Sequence, residues 1–197
     1  EAVPDGDFKG DPRAIIDDYQ QAMDRITQEL MWKMDRGPVL VIWAFDQSGS
    51  MKDDQQEIRD RVHNVYVQLG LTGRERKGWL TTSVVSYGED FLTHTRRPTS
   101  DVEEIRSAIA AVPEDESGRE FMCQAVGLAI AQHRDYARST QHQMVLIVVT
   151  DESGEQEDNR QHLEQAIAEA KAARCTIYVL GREAVFGYPT AYMRWEH

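Results

Sequence analysis

Val39-Leu-Val-Ile-Trp-Ala-Phe45 runs straight into Asp46-Gln-Ser-Gly-Ser50, and the reading of this stretch decides the fold. Seven apolar residues in a row leave neither face of a strand for water, the pattern of a central parallel strand covered on both sides. The polar residues that follow are turn and helix-cap residues. The chain is therefore expected to leave a buried strand and enter a helix here, with Gly49 giving the turn its backbone freedom. Met144-Val-Leu-Ile-Val-Val149 is a second buried run, and it too ends in a hydroxyl and an acid, Thr150-Asp151.

Outward from these two strands the apolar rhythm alternates. A helical pattern opens at Asp11-Pro12, carries Ile15, Tyr19, Met23, Ile26 and Leu30, and closes at Gly37-Pro38. Ile58, Val62, Val65, Val67 and Leu69 mark the helix after Ser50, ended by Gly70. Residues 79–87 read as a strand, and 91–95 as a short edge strand behind the Gly88-Glu-Asp90 turn. Ser100-Asp-Val-Glu103 reads as a capping box with Ser100 as N-cap, opening a helix that stops before Pro113. Further helices are expected over 119–137 and 158–173, and a last strand over 175–180. Alternation of this kind predicts a doubly wound α/β fold: a mostly parallel sheet, one antiparallel edge strand, helices on both faces. Residues 1–37 read as a helical extension packed on the domain, 38–181 as the domain, and 182–197 as an aromatic-rich tail that either folds back on the domain or, the favoured reading, is cut from a longer chain.

The chain has 197 residues, 41% of them hydrophobic, enough for one domain with its own core. Its net charge of -12 argues against nucleic acid, since phosphate binding needs clustered Lys and Arg. An acidic surface suits a cation or a basic partner instead. Arg74-Glu-Arg-Lys77 and Arg96-Arg97 read as solvated loop charge. No apolar run approaches the roughly 20 residues needed to span a bilayer. The chain opens on Glu1 rather than Met; if a leader was removed, the expected location is extracytoplasmic or secreted. Cys123 and Cys175 are too few for a disulfide framework and read as small buried hydrophobes, with one disulfide left open.

In an open parallel sheet, ligands bind beyond the carboxyl ends of the strands. Asp46, Ser48 and Ser50 present a carboxylate and two hydroxyls there, and Asp151 adds a carboxylate from the second strand end. Hard divalent cations take such oxygens. Asp-x-Ser-x-Ser alone is ordinary turn chemistry; its place after a buried strand, matched by Thr150-Asp151, points to a metal.

These pieces resemble the von Willebrand factor A-type (vWA) family and its metal-ion-dependent adhesion site. The resemblance covers about residues 38–181 and rests on the stretch from Val39 to Met51, on Val84-Val-Ser-Tyr-Gly88, Ala125-Val-Gly-Leu-Ala129 and Val145-Leu-Ile-Val-Val-Thr-Asp151. It implies a Rossmann-like fold in which Asp46, Ser48, Ser50 and Asp151 ring a divalent cation, Mg²⁺ foremost, with Ca²⁺ or Mn²⁺ as alternatives. It also implies protein binding, by a partner that presents an acidic residue to the metal. The family's Thr in the middle loop has no match; counting back from Ala125-Val126 lands on Glu120, within Ser117-Gly-Arg-Glu120. Either Glu120 is a metal ligand that makes the ring more anionic and stands where a partner's carboxylate would enter, or it is a first-turn helix residue favoured by the dipole. Thr-Asp-Glu-Ser-Gly154 also departs from the family's Thr-Asp-Gly. It crowds Glu152, Glu155, Glu157 and Asp158 into one loop, as Asp115 and Glu116 crowd the middle one. Such runs are a solvated face, or a repulsion that a cation relieves.

An enzyme is not expected. Phosphoaspartyl chemistry of the haloacid dehalogenase type needs a second acid at position 48, where Ser stands. No Gly-x-Ser-x-Gly elbow or phosphate-binding glycine loop occurs. The six histidines show no paired ligand spacing and read as surface or helix-face residues. The alternatives are a scaffold subunit of an AAA-type ATPase, a permanently filled site that serves stability, and a metal-assisted hydrolase with Glu120 or Glu152 as general base.

Overall fold

The computed structural model describes residues 19–69, 78–151 and 154–181. β1 (Val39–Asp46) is buried along its whole length between β2 (Leu80–Tyr87) and β4 (Gln143–Val149), both parallel to it. β5 (Thr176–Leu180) continues the sheet in parallel beyond β4. β3 (Phe91–Thr93) turns back antiparallel on the other edge, giving the order β3-β2-β1-β4-β5. This is the doubly wound, mostly parallel α/β sheet with one antiparallel edge strand that the apolar runs predict.

Among the described residues five α-helices cover it: α1 (Tyr19–Met34), α2 (Lys52–Gln68), α3 (Val102–Ala110), α4 (Met122–Thr140) and α5 (Gln156–Ala173). Side chains along a strand alternate between faces, so the uniform run of β1 feeds two cores at once. Val39, Val41, Trp43 and Phe45 pack with Ile26 and Leu30 of α1, Ile58 of α2 and Ile105 of α3. Leu40, Ile42 and Ala44 pack with Ala125, Ala129 and Ile130 of α4 and Ala166 of α5. Each fully buried aliphatic side chain contributes about 1.5–3 kcal/mol, so this one strand anchors both layers.

Several boundaries differ from the sequence expectation. Val67 is 48% exposed, and Tyr66 takes the buried place beside Val62, Val65 and Leu69. Steps of about 100° per residue put 58, 62, 65, 66 and 69 on one face and turn 67 away. Asp101, not Ser100, caps α3: its carboxylate accepts from the amides of Glu103 (2.9 Å) and Glu104 (3.2 Å). A carboxylate outcompetes a hydroxyl at the positive end of a helix. The helix expected over 119–137 is displaced to Met122–Thr140. Asp158 of α5 supplies its cap from outside, its carboxylate accepting from Cys123 N (2.6 Å) and Gln124 N (3.1 Å). Asp158, expected as loop charge, is thus buried in the first turn of α5. Both cysteines are free; Cys123 is buried, Cys175 half-buried, and burial pushes their thiols up to about 11 and about 12. The start of the first helical pattern, Gly70, the 74–77 run, Glu152 and the aromatic tail lie outside the described residues.

β2 is buried yet rich in hydroxyls, and those of Thr82, Ser83 and Ser86 find partners on neighbouring elements. His133, expected on a surface or helix face, is only 4% exposed and packs its ring against β2. Its Nδ1 donates to Ala129 O (2.7 Å), which leaves Nε2 to accept from Ser83 Oγ at 2.8 Å. Ser83 in turn meets Thr95 Oγ1 (2.7 Å), which accepts from Val84 N (3.1 Å). Next to this network, Ser86 Oγ joins His94 Nε2 (2.6 Å) and accepts from Gln47 Nε2 (2.7 Å).

Candidate metal centre

Asp46 ends β1 and is 0% exposed. Its Oδ1 accepts from Ser48 N (2.8 Å), its Oδ2 from Thr150 Oγ1 (2.9 Å), and its carbonyl from Gln55 Nε2 (2.7 Å). These bonds hold the carboxylate at the carboxyl edge of the sheet. The chain then bends through a single 3-10 turn over Gly49–Met51 into α2. That bend brings Ser48 Oγ and Ser50 Oγ to 3.1 Å, with Ser48 half-buried and Ser50 exposed. Gly49 does not take a left-handed φ. What a side chain there would meet is the tip of Glu114, 2.8 Å from an added Cβ, and an exposed glutamate can swing aside. The expected need for glycine freedom at this turn is therefore not what the structure shows.

Four loops are stitched together around Asp46. Gln47 N donates to Tyr87 O (2.8 Å), Asp115 N to Gln47 O (2.9 Å), and Phe121 N to Gly88 O (3.2 Å). Glu155 N donates to Glu120 O at 3.1 Å, tying the loop after β4 to the middle loop. Glu120 precedes the N-cap Phe121 and so is not a first-turn helix residue. It is half-buried, and its charge bears on the Tyr87 hydroxyl together with those of Asp46 and Asp151.

Burial lifts the Asp46 pKa above the ordinary carboxylate value; hydrogen bonds from Ser48 and Thr150 pull it back, and Asp151 raises it further. An acid with a raised folded pKa destabilises the fold wherever it is ionised, which includes neutral pH. A cation reverses that sign by favouring the charged form. Asp151 Oδ1 is shielded from solvent and accepts no hydrogen bond from the described residues. A buried carboxylate oxygen without a donor is expensive, which is why such atoms are rare. Carboxylates and hydroxyls make an all-oxygen donor set, suited to a hard divalent cation. Among the described residues no three Asp, Glu, His or Cys side chains gather closely enough to hold a metal ion. A cation at this edge would thus need oxygens beyond the described carboxylates, and the Ser48 and Ser50 hydroxyls are the neighbouring neutral ones.

Asp46, Ser48 and Ser50 are thus brought together, and Thr150 links Asp46 to the strand end that carries Asp151. Sequence reasoning missed Thr150 as the donor to Asp46, Gln55 as the anchor of its carbonyl, and Tyr87. Tyr87 had a signal: β2 ends at the same sheet edge, where Tyr87 pairs in register with Asp46. Gln55, nine residues beyond Asp46, had none.

The family model for the von Willebrand factor type A domain matches residues 41–187. Among solved structures, the chain is similar to an aerotolerance-related membrane protein from Bacteroides fragilis, at 19% identity and a TM-score of 0.50, over 73% of this chain and 67% of that one. It is also similar to the conserved hypothetical protein BatB from Bacteroides thetaiotaomicron, at 20% identity and a TM-score of 0.50, over 73% of this chain and 66% of that one. At such identity these likenesses speak for the fold alone. No curated protein matches the sequence.

Proposed function

This chain belongs to the von Willebrand factor type A domain family, and on that premise we propose that it binds a protein partner through a face organised by a divalent cation. Domains of this family are generally interaction modules. Asp46, Ser48 and Ser50 hold the ion, Asp151 joins them, and Glu120 makes the surroundings more anionic than a neutral hydroxyl would. Mg²⁺ is the expected ion, with Ca²⁺ and Mn²⁺ as alternatives. The observation that carries this reading is Asp151 Oδ1, a buried carboxylate oxygen that finds no donor among the described residues, near the raised acid Asp46. Calorimetry tests it. Mg²⁺ should raise Tm, because a ligand that binds only the folded state stabilises it, and Asp46→Ala should abolish the rise. No shift with Mg²⁺, Ca²⁺ or Mn²⁺ would sink the site.

The domain acts by binding rather than turnover. Release of product from phosphoesters or peptides with Mg²⁺, lost in Asp46→Ala, would overturn that. We propose an extracytoplasmic location; the Bacteroides fragilis neighbour is described as a membrane protein. No described helix is long and apolar enough to cross a membrane. Protease accessibility in intact cells tests the location: protection in intact cells with digestion after lysis would refute it.

A further inference from the structure

Three polar side chains, Gln47, Ser86 and His94, run in line from the edge of the sheet to the cation loop, and none of them is a proposed ligand. Gln47 stands between Asp46 and Ser48 and is only 3% exposed. Glutamine is mostly a surface residue, and burying its amide is costly unless the amide is bonded. Gln47 Nε2 donates to Ser86 Oγ (2.7 Å), itself fully buried. Having accepted that bond, Ser86 keeps its own proton to give to His94 Nε2 at 2.6 Å. The relay therefore has one direction, amide to hydroxyl to imidazole, and it closes only when His94 presents a lone pair at Nε2. Burial, which lowers the His94 pKa, favours that neutral ring.

Both ends of the relay are fixed by backbone. Gln47 N donates to Tyr87 O and Gln47 O accepts from Asp115 N, so main chain and side chain together tie the end of β1 to β2 and to the middle loop. Asp46 and Ser48 flank Gln47, and Ser48 N donates to Asp46 Oδ1 (2.8 Å), so a turn of Gln47 about its backbone moves both candidate ligands. At the other end His94 N donates to Val84 O (2.9 Å), and Thr95 Oγ1 accepts from Val84 N (3.1 Å). The antiparallel return of β3 is what delivers His94: Tyr87 pairs with Phe91 and Val85 with Thr93, which brings the next residue back along β2. The cluster of Ser83, Thr95 and His133 shows the other way to fill a polar core, with bonds that end on one another. The His94 relay ends instead on the residue between two candidate ligands.

We propose that His94 and Ser86 are positioning residues for the cation loop: acting through Gln47, they hold Asp46 and Ser48 in place for a divalent ion. This deepens the function proposed above and rests on its metal reading. Isothermal titration of the full chain with Mg²⁺ at neutral pH tests it. His94→Ala should weaken Mg²⁺ at least about fivefold, and Ser86→Ala as much. The double variant should be no weaker than the worse single one, because both cut the same chain of bonds. His94→Gln, whose side-chain oxygen can replace Nε2 as acceptor, should stay within about twofold of the parent. His133→Ala destabilises the same sheet outside the relay and should also stay within about twofold; a loss of affinity that merely follows lost stability would appear there as well. A second measurement needs no metal. In the metal-free chain the Gln47 side-chain amide hydrogens should exchange slowly with solvent by NMR, and faster in His94→Ala but not in His133→Ala. Parent-like Mg²⁺ affinity in His94→Ala, a loss in His94→Gln equal to that in His94→Ala, or unchanged exchange at Gln47 would overturn the proposal and leave the metal reading standing. No Mg²⁺ binding by the parent overturns the metal reading; faster exchange in His94→Ala would then still leave His94 as the residue that holds the loop.

Discussion

Two buried polar regions share the sheet, and they are built to opposite ends. Behind β2, Ser83, Thr95 and His133 close on one another and on Ala129 O and Val84 N, so that donors and acceptors cancel. At the end of β1, Asp46 is bonded, yet Asp151 Oδ1 finds no donor among the described residues, and the charges of Asp46, Glu120 and Asp151 all bear on the Tyr87 hydroxyl. The first cluster holds neutral groups and needs nothing from outside. The second gathers negative charge at the carboxyl edge of the sheet and keeps a carboxylate oxygen without a donor among the described residues. Burial alone therefore does not mark a functional site; burial with incomplete pairing does.

This contrast can be broken by experiment. The largest effect should come from the closed cluster. His133→Ala removes a buried ring and strands Ser83 and Ala129 O, so urea unfolding should show a loss of about 2–4 kcal/mol, the same with and without Mg²⁺. A loss under about 1 kcal/mol would mean that the network is not structural. Asp46→Asn should do the reverse. It removes a buried charge, so the metal-free chain should unfold no earlier than the parent at neutral pH, while the stabilisation by Mg²⁺, about 2.7 kcal/mol at a hundredfold excess over Kd, should vanish. Ser50 is exposed, so Ser50→Ala should leave metal-free stability unchanged and weaken Mg²⁺ about tenfold in a thermal titration. The smallest effect is that of pH. Burial holds His94 and His133 below the ordinary imidazole range. The unfolded chain then takes up protons first, so stability is complete above about pH 6.5 and declines as pH falls from there toward the folded values. Urea midpoints measured from about pH 7.5 to about pH 5.5 should show the decline, and His94→Gln should make it shallower.

The two regions also differ in how readable they were. Asp46, Ser48, Ser50 and Asp151 sit next to long apolar runs, and local order alone brings them to strand ends. Glu120 was found by counting, but whether it opened a helix depended on Asp158, some forty residues away in sequence, which caps α4 from α5 and sets its first turn. The closed cluster was not legible. Ser83 and Thr95 look like any strand hydroxyls, and His133 acquires its meaning only when α4 lies against β2. Val67 and Tyr66 teach the same lesson on a smaller scale: a phase of one residue on a helix decides which is buried, and composition does not record phase.

By itself, the sequence determined the layered sheet and the edge at which chemistry collects, because unbroken apolar runs can be stable only where both faces are covered. The tertiary structure decided which polar groups find partners. Pairing is made across strands and helices distant in the chain, so it was folding that satisfied Ser83 and His133 and left Asp151 Oδ1 without a donor among the described residues.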